Sequence, residues 1–393
     1  MYSMRKIVLL LALVLAPLTL QAAVVQGFYQ VQLPVAEDQS RDDAMSEALE
    51  VMLTRLGGSG ALKERGRFDQ ALQDPRTVMR RMGSAEGGGV DVEFEPAQLR
   101  ELMTAAGQPM LGPTRPGVML WAVEESALGN EFLNAAGNWA EVLSAAARHR
   151  AVALSFPLHD LQDRTEVSEK TIVAAERAPL VQATARYDAS AALALQITQL
   201  SSGWKLDWHL WLDEEAGKGS ISAETPEQAA DQLMLQVANQ VFAQYAVSAA
   251  RTDELSSWII VVDNVQGLDA FASLQRILQQ LGSQEVPQLL AIDGSLVRLK
   301  FDFPGSEGQL QRLLALDQRL IKSKAPEPPR PAAPLLSSAP VATPGIDGLT
   351  LSEPVGVDAS GADVQPEPAM PPLTTAPESP PEPAANTLYY RWR

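Results

Sequence analysis

The chain contains no cysteine. Disulfides, thiolate metal sites and thiol nucleophiles are therefore excluded at once. So is a bacterial lipid anchor, which needs a cysteine at the point where a leader is cleaved. Histidine is nearly as scarce, with three in 393 residues: His149, His159 and His209. A catalytic zinc takes about three converging ligands, two of them usually close together, as in His-Glu-x-x-His. These three are scattered, and none has a carboxylate at recognisable spacing. They read as surface or interface histidines, and no metal or cofactor is expected. Positive charge is also short, since the formal net charge is −17. Such a field repels a phosphate backbone and anionic lipid headgroups, so nucleic acid is not an expected partner.

Long apolar runs are missing apart from one. Ile7 to Ala16 is unbroken, follows Arg5 and Lys6, is interrupted by Pro17, and is followed by the small residues of Gln21-Ala22-Ala23. The run falls well short of the ~20 residues needed to span a bilayer as a helix. Residues 1–23 are therefore expected to be a cleavable secretory signal peptide, cut after Ala22 or Ala23. The implied address is the periplasm or the outside of the cell, with no integral membrane segment in the mature chain. Losing Arg5 and Lys6 would make the charge two units more negative.

The expected fold class is α+β or α/β, in two to three small mixed sheet-and-helix modules followed by a disordered Pro/Ala-rich tail. From Pro326 to about Pro383, Pro, Ala, Glu, Ser and Thr dominate and no structural period survives. Such a stretch buries too little apolar surface to offset the entropy of ordering, and the tail is drawn over 323–393. The first module, 24–112, starts with alternation through Val25, Gly27, Tyr29, Val31 and Leu33. A capping box at Ser40-Arg41-Asp42-Asp43 then opens a helix through Leu56, ended by Gly57-Gly58. Asp74-Pro75 predicts a short helix through Val78, Met79 and Met82. After Gly87-Gly88-Gly89 come a strand (Val90, Val92, Phe94) and a helix (Pro96 to Ala106).

The second module, 113–252, carries two continuous apolar strands, Val118 to Val123 and Ala151 to Phe156, around a helix near Trp139. That order suits a parallel pair. Ala191 to Thr198 is a third strand. In the fourth, Trp204, Leu206, Trp208, Leu210 and Leu212 share one face, while Lys205, Asp207, His209 and Trp211 share the other. Thr225-Pro226-Glu227-Gln228 caps a long helix. The third module, 253–322, reads strand, helix, strand, strand, helix, with Asp293-Gly294 as a hairpin turn and both helices on one sheet face.

Phe94-Glu95-Pro96, Leu99, Gly107, Arg115-Pro116, Leu120-Trp121, Arg186-Tyr187, Ala191 to Leu195 and Trp204 carry a family resemblance. The chain resembles secreted Gram-negative proteins labelled domain of unknown function 2066, over most of Val24 to Ala250 and on to Ile321, without the tail. Thr114 stands where family members often have Gly. The resemblance implies an envelope protein and carries over no catalytic residue. The second module is also similar in outline to the amino-terminal domain of the Tol translocation protein, which is an analogy of fold alone.

Each motif that could carry chemistry has a plainer reading. Gly58-Ser59-Gly60 follows a helix, so it is a C-cap and loop rather than a nucleophile elbow. Gly87-Gly88-Gly89 leads into a strand with no Lys behind it, unlike a phosphate loop. Asp160, Asp163 and Glu166 lack the Asp-x-Asp-x-Asp-Gly order of a Ca²⁺ loop and read as a solvated loop. Trp204 and Trp208 belong to the core, whereas Trp211 is expected to be displayed beside Lys205, Asp207 and His209. The terminal Leu388-Tyr389-Tyr390-Arg391-Trp392-Arg393 places three aromatics and two arginines on a tail. Tyr389, Tyr390 and Trp392 either dock on an envelope partner as a tethered ligand or fold back on the protein's own surface.

The functional expectation is a non-enzymatic periplasmic protein of the cell envelope, a binding, adaptor or assembly factor. The alternative is an envelope-glycan hydrolase or transferase whose carboxylates meet only in the fold.

Overall fold

The computed structural model describes residues 25–34, 39–85, 89–127, 129–187, 189–247, 256–281, 286–325 and 386–393. The expected signal peptide, Gly87-Gly88 and the Pro-rich stretch 326–385 lie outside the described residues. The chain divides into two units, Met1–Lys324 with Asn386–Arg393, and Ala325–Ala385. The first unit is α+β, with ten α-helices and three antiparallel or mixed sheets among the described residues.

The first sheet has the order β1 (Gln30–Leu33), β3 (Val90–Phe94), β2 (Met79–Ser84), all antiparallel. Helix α1 (Arg41–Lys63) lies against it through Ala44, Ala48, Leu49, Met52 and Leu53. Ser40 caps α1: its Oγ accepts from the Asp43 amide at 3.1 Å and donates to the Asp43 carboxylate at 2.7 Å. Contrary to expectation, Gly57-Gly58 bends this helix instead of ending it. Gly58 sits at φ +63°, and a Cβ there would lie 2.9 Å from the Phe242 ring. Gly58-Ser59-Gly60 is thus a docking kink, not a terminal loop.

Met79 and Met82 lie on β2 and not on the expected helix; only a 3₁₀ turn, Pro75–Thr77, immediately precedes them. The cause is a β-bulge. Met79 pairs with Phe94, Arg81 with Glu93 and Met82 with Val92, leaving Arg80 as the extra residue. That insertion brings two methionines three apart onto one face, which imitates a helical period. The module continues through short α2 (Asp69–Gln73) and α3 (Pro96–Ala105).

The central sheet runs β5 (Gly129–Phe132), β4 (Gly117–Ser126), β7 (Ala191–Leu200), β8 (Gly203–Leu212), β9 (Glu215–Ala223), with β6 (Ala153–Ser155) also paired to β4. Strands β6 and β7 are parallel to β4, and β7, β8 and β9 form an antiparallel meander. Helices α4 (Asn138–Arg150) and α8 (Pro226–Tyr245) cover one face, meeting Leu206, Trp208 and Leu210. The other face packs under α6 (Glu169–Val173) and α7 (Arg177–Ala185), which follow α5 (Leu161–Glu166).

The third sheet has the order β11 (Gln288–Asp293), β12 (Leu296–Phe303), β10 (Ser256–Asp263), β14 (Thr387–Trp392), β13 (Leu320–Lys322). Helices α9 (Gly267–Gln280) and α10 (Glu307–Ala315) complete it, the latter opened by a Ser306/Gln309 capping box. Gly294, at φ +61°, turns the β11–β12 hairpin as expected. The end of the expected tail belongs to this sheet. Thr387 to Arg391 run parallel to Ile259 to Asp263, and Trp392 pairs with Leu320 on the other side.

Candidate functional site

Two of the three aromatics proposed as a tethered ligand, Tyr390 and Trp392, are part of the core. Leu388, Tyr390 and Trp392 point to the helix-covered face and are buried, whereas Tyr389, on the opposite face, is half-buried. The Arg319 guanidinium lies 5.1 Å from the Trp392 ring centre, and Asn264 Nδ2 donates to the Trp392 carbonyl at 3.0 Å. Burial pushes the Tyr390 hydroxyl up to about 12. Tyr390 and Trp392 are spent on closing the sheet, while Tyr389 stays half-buried and Arg391 exposed. Of the two outcomes left open by the sequence, folding back is the one observed, by strand insertion.

Trp211 is also enclosed, at 7 % exposure, among Trp121, Ile172 and Leu180. Helices α6 and α7 cover the face on which it was expected to be displayed. The polar residues sharing that face lie beyond this cover: Lys205 pairs with Asp207 at 2.7 Å and His209 stacks on Trp211 at 6.0 Å.

Asp160 and Asp163, read as a solvated loop, are anchored. Asp160 caps α5 by accepting from the Asp163 amide at 3.0 Å. Arg186 donates to both carboxylates, at 2.7 Å to Asp163, and Tyr187 donates its hydroxyl to the buried Asp163. The bond from Arg186 holds the Asp160 carboxyl well below the usual carboxylate range. Glu166 accepts from Gln162 at 3.0 Å. His159, at φ +51°, packs its ring 4.8 Å from Phe132. Arg186-Tyr187 was the visible signal for this cluster, but nothing in their spacing names Asp160 and Asp163 as partners.

Two buried arginines join the first module to the second. Arg55 on α1 donates to the carbonyls of Phe28 (2.9 Å) and Gln30 (2.7 Å), and to His149 (2.8 Å) and Arg148 (3.1 Å) in the last turn of α4. A cation there complements the helix C-terminus. Arg115 donates to the carbonyls of Arg55, Leu111 and Gly112 and lies over the Phe28 ring. Burial pushes the two guanidiniums down, to about 10 for Arg55 and about 9 for Arg115. Arg150 grips Asp231 of α8 at 2.5 Å. These groups are structural joints.

The open surface is β11. All six of its residues are exposed, including Leu289 (46 %), Leu290 (49 %) and Ile292 (57 %), with Val286 just before it at 62 %. Leu289 and Ile292 register with Leu299 and Val297, which are buried on the helix-covered face. That face is therefore left uncovered where it reaches β11. No strand pairs with the outer edge of β11 among the described residues. On β12 next door, Arg298 and Lys300 point the opposite way and carry no ion pair among the described residues. An open apolar edge offers both backbone hydrogen bonds and apolar contact to an added strand.

A family model described as a domain of unknown function (DUF8605) matches residues 22–112, so the chain carries an uncharacterised domain there. No curated protein and no solved structure matches the chain. Among the described residues no helix is long and apolar enough to cross a membrane.

Proposed function

We propose that this is a non-enzymatic binding or assembly protein of the cell envelope, working in the periplasm and related to the family of domain of unknown function 2066. The observation that carries the reading is the exposed apolar edge of β11. Its occupant is an extended segment of an envelope protein. The segment adds as a strand, turns apolar residues toward Leu289 and Ile292, and sets acidic residues beside Arg298 and Lys300 on the other face. Asp160 and Asp163 lie close enough to suggest a pair of catalytic acids, but one arginine holds both, which favours binding over glycan hydrolysis.

The test is capture of partners from envelope extract by the intact protein and by a Leu290→Lys/Ile292→Lys variant. Both side chains are exposed, so the variant keeps its fold. The reading expects a discrete protein retained by the native chain and lost by the variant. Equal retention by both would end it.

A further inference from the structure

A second open edge differs in chemistry from β11. Between the first turn of α1 and β2 lies a groove of about 370 Å³. Arg41, Arg76, Arg80 and Arg81 line it, and its apolar part is made by Met45, Met79 and Met82. Two acids answer the four guanidiniums. Asp42 pairs with Arg76 at 2.6 Å, and Glu93 is shared by Arg80 at 3.2 Å and Arg81 at 3.3 Å. Arg41 has no acid partner among the described residues. A guanidinium has five N–H donors, so most of the donor capacity here is unspent. The bulge at Arg80 is what lets two consecutive arginines reach one carboxylate and stay solvent-exposed. A local excess of positive charge stands out on a chain of net charge −17.

We propose that this groove binds an extended acidic segment of another protein, added along the free edge of β2. Strand β2 pairs only with β3 among the described residues, so its other side offers backbone donors and acceptors to an incoming strand. Carboxylates on that strand meet the arginines, in the geometry for which guanidinium is suited. Its apolar residues meet the methionines, whose unbranched side chains adapt to varied shapes. A peptide fits better than an anionic membrane for two reasons. The acidic body repels a charged bilayer as a whole, and a bilayer has no backbone with which to use the strand edge. The site is independent of β11 and stands or falls separately from it.

The experiment is fluorescence anisotropy on the full chain with a labelled peptide alternating Glu with Leu or Val, against the same peptide with Lys for Glu. The acidic peptide should bind at least about tenfold more tightly, and its affinity should fall with added salt. Arg80→Glu/Arg81→Glu should weaken it by about tenfold or more, and Arg80→Gln/Arg81→Gln by less, with unchanged melting temperatures. Because a peptide of this pattern also suits β11, the arginine substitutions are read in the Leu290→Lys/Ile292→Lys background, which should still bind it and lose it with Arg80→Glu/Arg81→Glu. Equal binding of both peptides, no saturable binding, or binding in the Leu290→Lys/Ile292→Lys background that is indifferent to Arg80 and Arg81 would overturn the proposal. So would arginine-dependent capture on phosphatidylglycerol vesicles without preference for the acidic peptide.

Discussion

The two ends of the third sheet are built by opposite rules. At one end, β13 is three residues long, ends in Lys322, and is held by β14. Shortness and lysine are both devices that discourage another strand from adding. At the other end, β11 is six residues long, bulged at one point, and exposes three large aliphatic side chains without a single lysine. One hydrophobic core serves both ends. The aromatic side chains Tyr390 and Trp392 are used to close the first, and the aliphatic side chains of the second stay exposed. Display in this protein follows from what the sheet leaves uncovered, not from where hydrophobic residues are largest.

The largest expected effect is at the closed end. Trp392→Ala should cost about 3–5 kcal/mol in denaturant unfolding, because a nearly enclosed indole and its contact with Arg319 are lost together. A chain ending at Ala385, which lacks β14 altogether, should be destabilised by more than Trp392→Ala. Unchanged unfolding in either case would mean that β14 is not integral to the sheet. At the joint between the first two modules, Arg115→Met should cost about 2–4 kcal/mol by leaving the buried carbonyls of Arg55 and Leu111, and the half-buried one of Gly112, without their donor. This variant separates damage between modules from damage at either edge.

A smaller effect belongs to His149. Burial, with Arg150 beside it, pushes its imidazole down to about 4. The folded chain keeps it neutral where the unfolded chain, titrating near 6.5, already binds a proton. Stability should therefore be complete above that pH and decline as pH falls toward 4, by about 1 kcal/mol for a partly exposed group. His149→Gln should flatten that part of the stability–pH curve, and an identical slope would remove His149 from the account. The smallest effect on stability is expected at the open end. Leu290→Lys and Ile292→Lys should each change unfolding by less than about 0.5 kcal/mol, as for exposed sites generally. A loss as large as that of Trp392→Ala would show that β11 is covered.

Much of this architecture was legible. Alternation in β8, the apolar runs of β4 and β7, the caps at Ser40 and Thr225 and the Asp293-Gly294 turn all act locally, so sequence neighbours reveal them. What was hidden depends on distant chain. Trp211 has a polar alternation partner on each side, and only α6 and α7 decide that it is enclosed. The β14 strand follows a Pro-rich stretch, and its pairing with β10 is a contact across more than a hundred residues of sequence. The β2 bulge disguised a strand as a helix. For the candidate edge, an apolar run such as Leu289-Leu290-Ala291-Ile292 reads the same whether it is central or at a border. Periodicity gives a strand but not its neighbours.

Leu290 and Ile321 stand on the outermost strands at opposite ends of this sheet with almost equal exposure, 49 % and 48 %. Placing a photoactivatable cross-linking side chain at each position in turn, in living cells, compares the two edges directly. The account predicts a discrete protein adduct from position 290 and none from position 321. Adducts of equal yield from both, or from position 321 alone, would contradict it.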